Sequence, residues 1–185
     1  HVDRAGHRRD PHEARRLLAA AGVSAQNFPP LEVTCWSPSQ IPVLEAVQAM
    51  WKQELKLDVG ITVREARVHL ASLAAGDYDI AFITAIPDVA DAAEMLGDFV
   101  SGARENYPQW RDPAFDETFS RGRLLPDANN RADAFAAAEQ RLLAAAAVSP
   151  LYYNTKIWLM SPRVRGWQED GLWSRCYQQV YLDAD

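Results

Sequence analysis

Between residues 31 and 84, three short apolar runs alternate with two stretches of helical periodicity, and few folds accommodate that order. The first run is LEVTCW, residues 31–36. The second, residues 61–66, alternates Ile61, Val63 and Glu65 with Thr62, Arg64 and Ala66. The third, residues 78–84, is rich in β-formers and mostly apolar, which predicts a strand buried on both faces. Between the first two runs, Leu44, Val47, Trp51 and Leu55 recur at spacings of three and four, the stripe of a helix lying on a sheet. Lys52, Glu54 and Lys56 then fall on its solvated side, and Ser39 is a candidate cap for its start. A shorter helix is predicted over residues 68–75. Strand, helix, strand, helix, strand means parallel strands joined by crossovers, so the fold class is α/β with a mostly parallel central sheet flanked by helices.

The flanks follow from caps and breakers. Residues 1–10 form a polar tail or cut linker, too charged for a signal peptide, and residues 11–185 form a single α/β lobe. Asp10-Pro11 opens a helix that places Ala14, Leu17, Leu18 and Ala21 on one face and stops at Gly22. Gly76 and Asp77 make the turn into the third strand. Beyond that strand the pattern turns helical and loop-rich. Asp91 and Glu94 have capping-box spacing for a short helix to about residue 99. Residues 101–110 are polar and irregular. Asp112-Pro113 starts a helix with Phe115 and Phe119 one turn apart, and residues 127–148 form the longest helix, burying Phe135, Ala138 and Leu142. Residues 151–154, 157–160 and 175–182 are expected to be extended, with Tyr153 and Asn154 as core-strand residues.

Composition narrows the function. A formal charge of −6 argues against a nucleic-acid groove, and no run approaches the roughly 20 apolar residues of a membrane span. GxGxxG, Walker and GxSxG motifs are absent, so no nucleotide cofactor is implied. His1, His7, His12 and His69 lack partners at zinc-site spacing, so no metal site is expected, and His12 is expected on the surface. Cys35 is expected to be a buried small hydrophobe, and its pairing with Cys176 stays open. No convergent catalytic constellation is present, so no catalytic residue is assigned and the chain is not expected to be an enzyme. In open α/β sheets ligands sit beyond the carboxyl ends of the strands. There the third strand leaves through Ala85, Ile86 and Pro87 and presents Asp88, either as a turn or cap residue or as a ligand-binding carboxylate.

Five stretches in series carry a resemblance: PHEARRLLAAAG; LEVTCW with VLEAVQAMWKQELKLDVGITV; GDYDIAF; RDPAFDETF; and RADAFAAAEQRLLAAAAVSPLYY. In this order, over nearly the whole chain, they resemble the C-terminal lobe of family 5 extracytoplasmic solute-binding proteins, the dipeptide- and oligopeptide-binding components of ABC importers. The resemblance implies a periplasmic-binding-protein-like lobe, a fragment of a two-lobed protein whose N-terminal lobe is missing. It also implies an extracytoplasmic or periplasmic location, with a lipoprotein anchor as one form. The implied partners are a peptide or other small solute, the ABC permease and that missing lobe, with no nucleic acid. In peptide-binding members an Asp on the loop after the third strand pairs with the ligand's α-amino group, and matching GDYDIA places Asp88 there, with Ala85 and Ile86 beside it. Phe82 stands where some members carry Arg, and Thr84, Ala85 and Ile86 where peptide binders often have a Gly-Trp pair. Trp36, at the end of the first strand, either lines the cleft or packs under the next helix. Trp110 is a further candidate, with Tyr107 near it. The alternative reading is the ligand-sensing domain of a transcriptional regulator, which a helix-turn-helix elsewhere in the gene would mark.

Overall fold

The computed structural model describes residues 10–155, 157–168 and 177–183. They divide into two compact units, His1–Thr84 with Gly102–Arg111, and Ala85–Ser101 with Asp112–Asp185. Cys176, like the start of the last expected extended segment, lies outside the described residues.

The first unit is built on β1 (Leu31–Cys35), β2 (Val59–Val63) and β3 (Ile80–Ala81), all parallel, in the order β2-β1-β3. The alternation in the sequence therefore maps onto the sheet as expected. β1 is central and carries the core: Val33 and Cys35 pack with Leu44 and Val59, edged by Trp51, Ile61, Ile80 and Phe82. Each such side chain withdrawn from water contributes about 1.5–3 kcal/mol. Cys35 is a free, fully buried thiol, as its position on the strand suggested. α2 (Ile41–Leu55) buries Leu44 and half-buries Val47, Trp51 and Leu55, the predicted stripe. Its approach differs from expectation. Ser37, not Ser39, is the cap, opening a short 3-10 turn over Pro38–Gln40 that runs into the helix.

α1 (Pro11–Ala20) starts at Asp10, whose carboxylate accepts the N–H groups of His12 and Glu13. It buries no residue fully: Ala14 and Leu18 are half-buried, whereas Leu17 and Ala21 face water. Arg15 instead ties it to α2 through the Glu54 carbonyl at 3.0 Å. α3 (Ala66–Ala75) ends at Gly76, which takes φ 71°, the left-handed turn expected there.

β3 is shorter and wetter than its composition suggested. Only Ile80 and Ala81 join the ladder, both half-buried, and Ile83 is 42% exposed. Among the described residues it sits at the sheet edge with β1 as its one neighbour, so one flank has no strand beside it.

In the second unit, α4 (Ala92–Gly97), α5 (Pro113–Leu124) and α6 (Ala128–Ala144) pack together. Asp91, Asp112 and Asp127 cap them in turn. Phe115 and Phe119 stack at 6.2 Å, and Phe119 meets Phe135 at 5.9 Å. Gly122 permits this: a Cβ there would lie 3.0 Å from the Phe135 ring. Residues 151–155 and 157–160 do not form strands, and Tyr153, 72% exposed, is not a core residue. Apolar character alone cannot make a strand, because the ladder needs a partner edge, and among the described residues none faces these segments. β4 (Val164–Arg165) and β5 (Tyr181–Leu182) pair antiparallel instead.

Candidate ligand-binding site

The chain enters the second unit at Ala85 and turns through residues 85–91 before α4. Ala85, Ile86 and Asp88 share this loop and are all exposed. Its backbone is held firmly. Glu94, in the first turn of α4, receives the N–H of Asp88 on one carboxylate oxygen (2.8 Å) and that of Val89 on the other (2.7 Å). The Asp91 N–H donates to the Val89 carbonyl at 2.8 Å. Asp91 then splits its carboxylate. One oxygen accepts the Ala93 N–H at 2.8 Å, and the other pairs with Arg131 of α6 at 2.7 Å. Arg131 also lies over the Phe135 ring, 4.9 Å from its centre. The cap of α4 is therefore Asp91, not Asp88. Among the described residues the Asp88 side chain enters none of these bonds, so its carboxylate is held out in water by a fixed main chain.

The Ala93 amide, and then Arg131, hold the Asp91 carboxyl below the usual carboxylate range. A carboxyl whose folded affinity for protons is depressed adds stability above its unfolded value and loses it as the pH falls through the folded one. We expect urea-unfolding midpoints to drop as the pH falls below about 4, and Asp91→Asn to start lower and drop less steeply. A slope identical to the parent's would remove Asp91 from the acid response. Asp112 is held similarly: burial works against its ionisation, but Arg141 and the Phe115 and Ala114 amides outweigh it.

Trp36 and Trp110 belong to the first unit. Trp36 follows the carboxyl end of β1, half-buried, with its backbone N–H on the Gln40 side-chain oxygen at 3.2 Å. Its ring meets His69 of α3 edge-on, with centroids 5.5 Å apart. The second helix after β1 therefore supplies an aromatic partner for Trp36. Trp110 is half-buried, and buried Asn106 grips its main chain twice, donating to the carbonyl at 2.7 Å and accepting the N–H at 3.2 Å. The Tyr107 carbonyl accepts the Tyr78 hydroxyl at 2.8 Å, and burial pushes that hydroxyl's proton affinity up. The irregular 101–110 segment is thus ordered by polar side chains. Ala85, Ile86 and Asp88 come together on one loop, while Trp36 and Trp110 lie in the other unit.

A shallow recess of about 580 Å³ lies at the amino ends of β1 and β2, lined by Glu32, Asp58, Gly60 and Asp79 among others. This is the opposite end of the sheet from the crevice where α/β folds bind ligands. Its acids are committed: Glu32 accepts the Thr62 hydroxyl, Asp79 accepts the Glu32 N–H, and Asp58 pairs with Lys52, each at 3.0 Å. Among the described residues no cluster of His, Cys, Asp and Glu could hold a metal ion.

Residues 2–107, over half of the chain, match the family model described as bacterial extracellular solute-binding proteins, family 5 Middle. The chain belongs to the family 5 bacterial extracellular solute-binding proteins. The periplasmic oligopeptide-binding protein OppA of Salmonella typhimurium is 28% identical to this family 5 chain over 158 residues, which is 84% of this chain and 29% of that protein. The periplasmic murein peptide-binding protein MppA of Escherichia coli K12 is 27% identical over 170 residues, 88% of this chain and 31% of that protein. Haemophilus influenzae OppA, solved in complex with RPPGFSPFR, superposes with a TM-score of 0.84 at 26% identity, covering 94% of this chain and 35% of that one. The chain thus spans about a third of the length of the relatives it matches. Escherichia coli MppA, also at 0.84 but 23% identical, shares the fold. The periplasmic-binding-protein-like α/β architecture implied by the resemblance is therefore the one found.

Proposed function

We propose that this family 5 chain is a ligand-binding lobe of the substrate-capturing component of an ABC importer. The whole protein works outside the cytoplasm, in the periplasm or tethered to the membrane as a lipoprotein. It encloses a peptide or a similar small solute between this lobe and an N-terminal lobe of the same polypeptide, and delivers it to the membrane permease. Asp88 takes the ligand's α-amino group, Ala85 and Ile86 flank it, and Trp36 and Trp110 supply aromatic surface. The chain acts by binding and not by catalysis.

The observation that carries this reading is the exposed Asp88 carboxylate on a loop whose main chain Glu94 holds. A carboxylate is the partner an ammonium needs, and a fixed main chain spares the ordering cost of binding. Relatives named for oligopeptides and murein peptides, each matching more than four-fifths of this chain, support the choice of peptide as substrate class.

The test is a native mass spectrum of the full-length protein gently purified from its own host. A ladder of peptide masses is expected. A single non-peptide mass would keep the import role and remove the amine role of Asp88.

A further inference from the structure

His69 occupies a place an apolar residue would fill at less cost. It sits on α3 four residues before Leu73, with no solvent exposure. Among the described residues neither ring nitrogen has a hydrogen bond of good geometry, although the Phe82 backbone lies close enough to favour a proton on the ring. Burying a polar group so poorly paired costs stability. The edge-on contact with Trp36, at 5.5 Å and 63°, returns part of that cost, and a phenylalanine would make it too. What a phenylalanine lacks is a site for a proton.

A proton there would find no counter-charge. Arg64, leaving β2, donates to the Ser72 hydroxyl at 2.7 Å and to the Asp77 carbonyl at 3.0 Å, and its charge opposes a second one on the ring. Glu65, at the start of α3, has its carboxylate on the Arg67 and Val68 amides. The end of β1 brings the buried Cys35 thiol and Trp36, and the chain beyond β3 brings the Phe82 backbone.

We propose that His69 is the positioning residue for Trp36 and that the two form a proton-operated latch. The neutral imidazole seats the indole beyond the carboxyl end of β1, and protonation frees it. The consequence for ligand release rests on the reading of Trp36 as a cleft residue; the latch itself does not. Burial lowers the ring's proton affinity, the Phe82 backbone opposes this, and Arg64 adds to it. With the folded affinity below the unfolded one, the neutral, latched state is fully stable above about pH 6.5 and weakens as the pH falls toward the folded-state titration.

The test is an NMR pH titration of this chain without ligand, following His69 ring carbons and the Trp36 indole N–H, the latter assigned with Trp36→Phe. His69 is expected to titrate below the usual imidazole range. The Trp36 signal should move in the same step while the other five Trp signals of the chain hold still. His69→Phe should keep the Trp36 signal near its neutral-pH position and abolish the step. The proposal is overturned if His69 titrates in the ordinary range, if Trp36 does not move with it, or if all indoles shift together as in global unfolding. Survival of the step in His69→Phe would overturn it too. Should that variant not fold, the co-titration in the parent chain decides alone.

Discussion

Phe115→Ala is expected to lower the stability of the second unit by about 3–5 kcal/mol. Phe115 has no exposed surface and stacks on Phe119, which in turn meets Phe135 across the α5–α6 contact. Removing the first ring leaves a cavity in the packed contact between α5 and α6, which the surroundings fill only in part. The damage should spread to the proposed site, because α6 carries Arg131 and α5 begins at Asp112, the partner of Arg141. Urea unfolding followed by circular dichroism gives the number, and amide exchange at Asp88 and Val89 reports the loop. A loss below about 1 kcal/mol would mean that the ring stack is not the core of this unit.

Asp88→Asn in the full-length protein is expected to weaken peptide affinity by about 2 kcal/mol or more, roughly 30-fold, with stability unchanged. The two halves have separate causes. Affinity falls because an amide cannot balance a desolvated ammonium. Stability holds because the loop is fastened through the backbone N–H groups of residues 88 and 89, which the substitution keeps, and because capping belongs to Asp91. Calorimetric titration with one peptide, and with the same peptide N-acetylated, separates these effects: acetylation should weaken binding to the parent and matter little to the variant. Equal sensitivity of both proteins to acetylation would place the amine elsewhere.

The parts legible in the sequence were those governed by local physics. The α2 stripe from Leu44 to Leu55, the Asp caps at residues 10, 91 and 112, and the Gly76 turn all follow from contacts within a few residues. The parallel sense of β1, β2 and β3 follows from alternation, a short-range pattern with a long-range consequence. Misreadings arose where a distant partner decides. The third strand was overestimated because edge position cannot be read from composition. Residues 151–154 and 157–160 read as extended, with Tyr153 and Asn154 in the core, because nothing in their sequence reveals which edge they would meet.

The proposed site shows the same divide. Asp88 could be singled out by its place after the third strand. Glu94 was noticed only for its spacing from Asp91, and its carboxylate reaches six residues back instead, which depends on how the loop folds. His69 carried a readable signal, since it stands one turn before Leu73 on an otherwise apolar helix face. Its partner Trp36, 33 positions earlier, became visible only with the fold in hand.

The grip of Glu94 on the loop has a consequence for what that loop can receive. Pro87 has no N–H, those of Asp88 and Val89 are taken by Glu94, and that of Asp91 is turned onto Val89. In hydrogen-bond valence those three amides have spent their protons, while the Asp88 carboxylate keeps its lone pairs. A carboxylate or phosphate arriving at Asp88 would meet the lone pairs of its side chain and none of those three hydrogens. On the proposed reading a visitor that brings its own protons fits: a ligand's proton-rich end would face this loop, and its anionic end would be met by another part of the protein.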